Sequence, residues 1–386
     1  MSVRRARAAV SAIFFVHGAI FASWAARIPA VQDELRLPAG VLGLVLAGPG
    51  LGALVGSQAG GLLVRCLGSR TVSALAPVVL CLPLGLVPSA RSAWSLMGVL
   101  LLLGAADGCT SVAMNAQAVS VQRWYGRAVI NSMHAIRSIG AVAGGLAGVA
   151  TTSLGMTLAV QLESMAVLLA VVSAVAARGL RPDGERARQT VRTRPSGRGT
   201  GERGPNGRLT MPLLALMTFL AALVEDAPAS WSGVYLRQVG AGTAMAAAGY
   251  AAFSAGSVVT RLCDDRLVDR LGWVRLTRFG TLCCAAVLTV ALLLGQPAVT
   301  LVALVVAGAG VSAVFPGVFT AAGALPDSAR AMGHVGFAGN LGWLVVSPLI
   351  GGLSTVVGLP AALGLLAVAA ATIAALAPVL GRGRDF

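Results

Sequence analysis

The sequence predicts an all-α integral membrane protein with twelve transmembrane helices in two pseudo-symmetric bundles of six. Hydrophobic residues make up 56% of the chain and charged residues only 11%, with a mean hydropathy of +0.83. Soluble domains rarely have such a composition. A basic stretch divides the 386 residues into two apolar halves of similar length. Arginines also concentrate in alternate gaps between apolar runs, which is the positive-inside pattern of membrane proteins.

The basic stretch, residues 178–210, is predicted to be a disordered cytoplasmic linker. From Arg178 to Arg208 it contains nine arginines and three acids, together with repeated glycines and prolines. It has too few apolar side chains to offset the entropy of ordering the chain. The expected organisation is therefore a bundle from residues 1–177, the linker 178–210 and a second bundle from residues 211–386.

Each half divides into six apolar segments of about 20 residues, the length that spans a bilayer. The basic and then apolar N-terminus resembles a signal peptide, but its apolar run continues to about Pro29, which favours an uncleaved first helix. The predicted spans are Ala8–Ala30, Val41–Val64, Val72–Ala90, Ala93–Val121, Val129–Leu154, Thr157–Ala177, Met211–Leu236, Thr243–Leu262, Leu276–Gly295, Ala298–Leu325, Met332–Val357 and Pro360–Leu380.

The arginines orient these spans, because basic loops stay on the cytoplasmic side. Most of them fall on one side together with the linker and both termini, while Arg36, Arg91 and Arg237 fall on the other. The prediction is a multi-pass protein of the inner or plasma membrane, surrounded by lipid, with cytoplasmic termini. The net charge of +15 does not indicate nucleic-acid binding, because the arginines lie between apolar runs rather than on one folded face.

The two halves also resemble one another. Leu63–Gly68, after the second predicted helix, matches Leu267–Gly272, after the eighth, at an offset of 204 residues. The same offset places Gly104 and Ala105 of the fourth helix on Gly308 and Ala309 of the tenth. Matches at equivalent places in a six-plus-six pattern are typical of a duplicated transporter fold.

The chain resembles the major facilitator superfamily in its six-plus-six helices, its central basic linker and the loop motif Asp269-Arg270-Leu271-Gly272. It resembles the MosC-like subfamily in three stretches, Phe21–Gln32, Ser111–Gly140 and Ser230–Arg237. The resemblance implies a monomeric secondary transporter that carries a small-molecule solute by alternating access, with no enzymatic activity and no cofactor. It also implies a gating role for Asp269, Arg270 and Gly272.

Two departures from the family pattern change the expected site. Arg65 and Cys66 replace the acid-base pair of the equivalent loop in the first half. The subfamily resemblance implies acids where Ser111 and Ser230 stand, and Asp107 and Asp226 lie four residues upstream of those positions. A shifted acid suggests a different substrate or a different coupling.

Ionisable side chains at membrane depth are costly unless they are paired or face water, so each one is a candidate functional residue. The resemblance implies a central cavity lined by the first, fourth, seventh and tenth helices. Asp107 lies on the fourth helix, and Asp107, Ser111, Asn115 and Ala118 form one stripe at helical spacing. The stripe binds solute and protons in one interpretation, whereas in the other Asn115 and Gln117 form hydrogen bonds with adjacent helices.

Glu225 and Asp226 are adjacent on the seventh helix and point about 100° apart. Two carboxyl groups this close in a low dielectric do not both stay ionised, which suits proton coupling. Pro228 removes a backbone donor two residues later and is expected to break the helix. The alternative is that the acids stabilise a kink.

The remaining candidates have weaker signals. Arg27, near one end of the first helix, is expected to bind an anionic group, to pair with an acid of the seventh helix or to snorkel to water. Arg137 is expected to pair with Asp107 if the fourth and fifth helices pack as a hairpin. The secondary candidates are His17 and His134, interpreted mainly as packing residues, Trp24 and Trp231, interpreted as an interfacial aromatic belt or sugar-stacking rings, and Asn340.

These residues favour a proton-coupled secondary transporter that exports a small polar or amphipathic solute. Proton-coupled uptake of a sugar-like or cyclitol solute is the alternative, and a polytopic sensor or enzyme is a more remote one. The six cysteines have no metal-site spacing, and the chain contains neither a phosphate-binding loop nor a hydrolase motif. No metal or cofactor is therefore expected.

Overall fold

The computed structural model describes residues 2–125, 129–181, 207–325 and 328–384. They divide into two compact units, Met1–Pro195 and Ser196–Phe386. The central residues 182–206 lie outside the described ranges, and with them most of the predicted linker. The described residues are helical apart from short turns, as the sequence predicts.

The first unit contains eight α-helices and a short 3-10 helix, Val87–Ser89, in its described residues, and two predicted spans are each divided by a short break. The first span breaks around Arg27, and the second around Leu46 and Ala47. The helices are α1 Val3–Ala25, α2 Ile28–Leu35, α3 Ala39–Val45, α4 Gly48–Leu67, α5 Ser69–Leu86, α6 Ala93–Tyr125, α7 Ile130–Ser153 and α8 Leu158–Ala177.

The second unit contains seven α-helices in its described residues and ends in a 3-10 segment, Ala377–Arg384. Its first helix begins at Gly207, three residues before the predicted end of the linker at residue 210. The helices are α9 Gly207–Gln238, α10 Thr243–Ala247, α11 Gly249–Leu294, α12 Pro297–Val311, α13 Val314–Gly323, α14 Ser328–Val357 and α15 Leu359–Leu376.

Eleven segments of the described chain are long and apolar enough to cross a membrane, whereas the sequence predicts twelve. The difference is the predicted eighth span, Thr243–Leu262. It is divided between the five-residue α10 and the start of α11, which continues past the predicted loop. Gly272 interrupts α11 with a φ of 72° and a ψ of 160°, so the predicted eighth and ninth spans meet at this glycine.

The internal repeat is much clearer in the packing than in the sequence. In the first unit, Gly52 lies against the carbonyl oxygen of Leu101, and Gly104 lies against that of Pro49. In the second unit, Gly256 lies against the carbonyl oxygen of Val305, and Gly308 against that of Phe253. All four pairs of positions are related by the offset of 204. The contact of α4 with α6 therefore recurs as the contact of α11 with α12.

The breaks repeat as well. Gly68, between α4 and α5, has a φ of 87° and a ψ of 155°, close to the values at Gly272. Short helices α3 and α10 begin at Ala39 and Thr243, again 204 residues apart. Each unit therefore has the same backbone plan.

Candidate functional site

Helix α1 is the centre of the candidate site in the first unit, because it packs along α7 and also contacts α6. Three glycines allow the α1 and α7 backbones to touch. Gly18 lies against the carbonyl oxygen of Arg137, Gly140 against that of Phe15, and Gly144 against that of Ala19. The expected hairpin of the predicted fourth and fifth helices is wrong, because α7 packs mainly along α1 and has few contacts with α6.

The central contact of this site joins two ionisable residues that the sequence does not pair. His17 Nε2 lies 2.9 Å from Asp107 Oδ1, so the middle of α1 meets the middle of α6. The imidazole is almost enclosed, with 6% of its side chain exposed, whereas the carboxyl group is 33% exposed. Asp107 is therefore the more accessible member of the pair. The packing interpretation of His17 is incomplete, because the ring has an ionisable partner.

Arg137 adds a positive charge to the same cluster. It lies on α7 and attracts the Asp107 carboxylate electrostatically, as the sequence predicts. His134, one turn away, packs edge to face on Phe14 with ring centroids 5.0 Å apart. This contact supports the prediction that His134 is a packing residue.

The polar stripe of α6 combines half-buried and fully buried residues. Ser111 and Asn115 are half-buried, and Asn115 Nδ2 donates to the Ser111 carbonyl oxygen of its own helix at 2.8 Å. Ala118 is fully buried in the apolar core. Gln117, also fully buried, donates to Ser69 Oγ at 2.9 Å and to the Arg181 carbonyl oxygen. The expected interhelical hydrogen bonds therefore come from Gln117.

The second unit has its own cluster of charged residues. Glu225 Oε1 lies 3.5 Å from Arg261 Nη2, which joins α9 to α11. The two side chains are 16% and 28% exposed. Asp226 is half-buried and close enough to Glu225 for the two acids to repel each other. Arg261 is not among the predicted site residues, although an arginine inside the predicted eighth span is a signal that could have identified it.

Pro228 does not break its helix, contrary to the sequence-based expectation. Helix α9 continues through it to Gln238, and Ser232 Oγ donates to the Pro228 carbonyl oxygen. Because proline has no N–H, the Val224 carbonyl loses its usual intrahelical donor. Val224, Pro228 and Ser232 line an apolar cavity within the second unit. The cavity leaves space beside the missing intrahelical hydrogen bond.

Arg27 does not snorkel to water. It is 6% exposed, and its guanidinium donates to Thr152 Oγ1 at 2.8 Å and to the Met156 carbonyl oxygen at 2.7 Å. The aromatic-belt interpretation is wrong for Trp24 and Trp231, which are 1% and 0% exposed. A belt residue has one side in the lipid interface, whereas these rings are enclosed.

Three of the remaining predicted candidates, Asn340, Asp269 and Arg270, are exposed. Asn340 is exposed on α14. Asp269 and Arg270 of the gating-loop motif are exposed near the end of the first segment of α11, and Gly272 supplies the left-handed conformation that ends this segment. Their positions suit a motif that contacts a loop or solvent rather than a buried solute.

Comparison with known proteins shows that the chain is similar to membrane transporters of one family. A family model described as the Major Facilitator Superfamily matches residues 9–328. An uncharacterized MFS-type transporter of Yersinia pestis is 29% identical over 377 residues, covering 96% of this chain and 94% of that protein. Membrane protein MosC of Rhizobium meliloti is 29% identical over 374 residues, covering 96% of this chain and 89% of MosC.

A solved structure agrees with these relatives. The crystal structure of a D-xylose-proton symporter superposes with a TM-score of 0.74 over 96% of each chain. At 13% sequence identity the similarity concerns the fold alone. The resemblance inferred from the sequence motifs is therefore confirmed at the level of the family.

Proposed function

Because the chain belongs to the major facilitator superfamily, we propose that it is a proton-coupled secondary transporter of a small polar or amphipathic solute. The observation that carries this proposal is the 2.9 Å contact between His17 and Asp107 within two membrane-spanning helices. In this proposal the chain crosses the membrane twelve times and has both termini in the cytoplasm. The segment that is divided between α10 and α11 is the eighth span. It is a monomer of the inner or plasma membrane.

The proton-coupling step follows from the chemistry of the pair. An isolated charge at membrane depth is costly, so a histidine and a carboxylate there favour states in which their charges compensate. Imidazole is the side chain whose charge changes most readily near neutral pH. A proton that enters at the partly exposed Asp107 therefore alters the charge of the whole cluster, including its attraction to Arg137.

The acids of α9 form a second proposed coupling site. Arg261 compensates one negative charge at Glu225, and the neighbouring Asp226 adds another. Uptake of a proton by either carboxyl group relieves the repulsion between the two acids. Within the first unit, Ser111 and Asn115 are proposed polar contacts for a solute, and within the second unit Asn340 is a separate proposed contact.

Export is the proposed direction, on the basis of the MosC-like motifs of Phe21–Gln32 and Ser111–Gly140. Uptake of a sugar-like or cyclitol solute is the second candidate. The similarity in fold to a D-xylose-proton symporter favours including it. The two candidates differ in the sign of proton movement relative to solute movement.

The test is proton flux in proteoliposomes that contain the purified full-length chain, with an imposed pH gradient and a panel of aminocyclitols, sugars and cationic drugs. Asp107→Asn and His17→Gln are compared with Glu163→Gln. Glu163 is an exposed acid of the first unit that lies outside the cluster. We expect a solute that dissipates the gradient in the wild type and in Glu163→Gln, and little dissipation in the other two variants.

The sign of the flux separates export by antiport from uptake by symport. Solute transport that continues in Asp107→Asn with unchanged proton movement would show that this pair does not couple protons. Solute transport without proton flux in the wild type would exclude proton coupling altogether.

A further inference from the structure

A second polar cluster lies at the end of the first unit where α1 gives way to α2. Arg27 occupies the break between these helices and is buried, as described above. Two of its five N–H groups donate to neutral acceptors, and its Nε has no partner among the described residues. No carboxylate in the described part of the chain lies within ion-pair distance of this guanidinium.

Gln161 of α8 reaches the same place and is also unsatisfied. It is 0% exposed, and neither its Nε2 nor its Oε1 has a partner among the described residues. A Cβ placed on Gly148 of α7 would lie 3.5 Å from this Nε2. Thr152, one turn further along α7, donates to the Gly148 carbonyl oxygen at 2.7 Å and accepts from Arg27. Arg27 and Gln161 therefore approach the same turn of α7.

We propose that Arg27 and Gln161 form a buried binding site for a small anion of the carboxylate class, beside the Gly148–Thr152 turn of α7. The unused guanidinium N–H groups and the Gln161 amide supply donors suited to a planar oxyanion. The hydroxyl and carbonyl groups that accept from Arg27 are neutral, so they do not compensate its buried positive charge. The anion does. A water molecule would satisfy the amide but not the charge.

This site is separate from the coupling cluster. It shares no residue with the His17–Asp107 contact, which lies near the middle of α1, whereas Arg27 follows the end of that helix. Anion binding can therefore be measured without transport, and its outcome does not depend on proton coupling.

The test measures thermal unfolding of the purified full-length chain in detergent. A bulky sulfonate buffer is the only anion at the start, and sodium acetate is then titrated in. The wild type is compared with Gln161→Leu, which keeps the volume of the side chain but removes its unsatisfied amide. The matched control is Gln117→Leu. Gln117 is an equally buried glutamine of the same unit, and its amide nitrogen already has two acceptors.

We expect acetate to raise the Tm of the wild type by about 2 °C or more, with saturation as for a single site. Gln161→Leu should have a higher Tm than the wild type without acetate, because an unsatisfied buried amide has been removed, and should respond little to acetate. Gln117→Leu should lose stability but keep the acetate response. Arg27→Lys, which retains the charge without the planar fork, should weaken the response.

Equal acetate responses in the wild type and Gln161→Leu would overturn the proposal, because salt would then act elsewhere. An absent response in the folded wild type would overturn it equally. In that case Arg27 only connects the ends of α1 and α7.

Discussion

The two units share a backbone plan but not their charged chemistry. The glycine contacts of α4 with α6 recur at the offset of 204 in α11 and α12. The charged residues do not recur. The positions equivalent to His17 and Asp107 are Ala221 and Val311, and those equivalent to Glu225 and Arg261 are Phe21 and Ser57.

This difference shows which parts of the duplicated fold are constrained by packing. A glycine against a neighbouring carbonyl oxygen sets the distance between two helices, so the same arrangement of helices needs it in both units. A charged pair depends on the solute and protons that meet that particular unit. The repeat therefore supplies the scaffold, and each unit carries its own charges.

The largest effect is expected from variants of the glycine contact that both units share. They test whether this contact is equally necessary in both units. Gly52→Leu and Gly256→Leu should each cost more than about 3 kcal/mol, the upper end of ordinary overpacking, because the new side chain meets backbone rather than a movable side chain. Yield of monodisperse protein and thermal unfolding measure the effect. Gly61→Leu and Gly364→Leu are the controls, since a Cβ at either position meets nothing within 4 Å.

A folded Gly256→Leu beside an unfolded Gly52→Leu would break the comparison. It would mean that the second unit tolerates a wider spacing of these helices than the first.

An intermediate effect tests the chemistry that the units do not share. Arg261→Met should cost about 1–2 kcal/mol, between the values for exposed and buried pairs, because it removes the cation 3.5 Å from Glu225. Adding Glu225→Gln should recover part of this loss, and a double-mutant cycle in thermal unfolding measures the coupling. Ser57→Met, at the equivalent position of the first unit, should change stability by less than about 0.5 kcal/mol.

If the double variant is as unstable as the sum of the two single variants, Arg261 and Glu225 do not stabilise each other. The second unit would then depend on Arg261 for packing alone.

The smallest effect concerns the helix breaks. Gly68→Ala and Gly272→Ala should each cost roughly 1–2 kcal/mol, because both glycines have positive φ that an L side chain adopts only with strain. At Gly272 a Cβ meets nothing within 4 Å, so the cost there is conformational rather than steric. Gly98→Ala, inside α6 with open space around it, should instead stabilise by up to about 1 kcal/mol. Thermal unfolding of the three variants checks the ranking.

Some of the candidate site was predictable from single residues. Asp107, Glu225 and Asp226 stand out because ionisable side chains are rare in apolar spans, and Gly272 stands out because it is the last residue of the loop motif. Arg261 gave the same kind of signal. By contrast, His17 has an ordinary sequence context, and its role depends on Asp107, which lies on a helix distant in the chain.

Hydropathy, charge pattern and repeated motifs can be read along the chain without knowing which helices touch. The sequence by itself therefore determined the membrane class, the two halves and the transporter family. Only the tertiary structure decided that α7 packs along α1, that His17 meets Asp107, that α9 continues through Pro228 and that Trp24 is enclosed. The physical reason is that apolar helices present similar surfaces to lipid and to one another. Which faces pack together depends on where small residues let backbones touch, and this requires both helices at once.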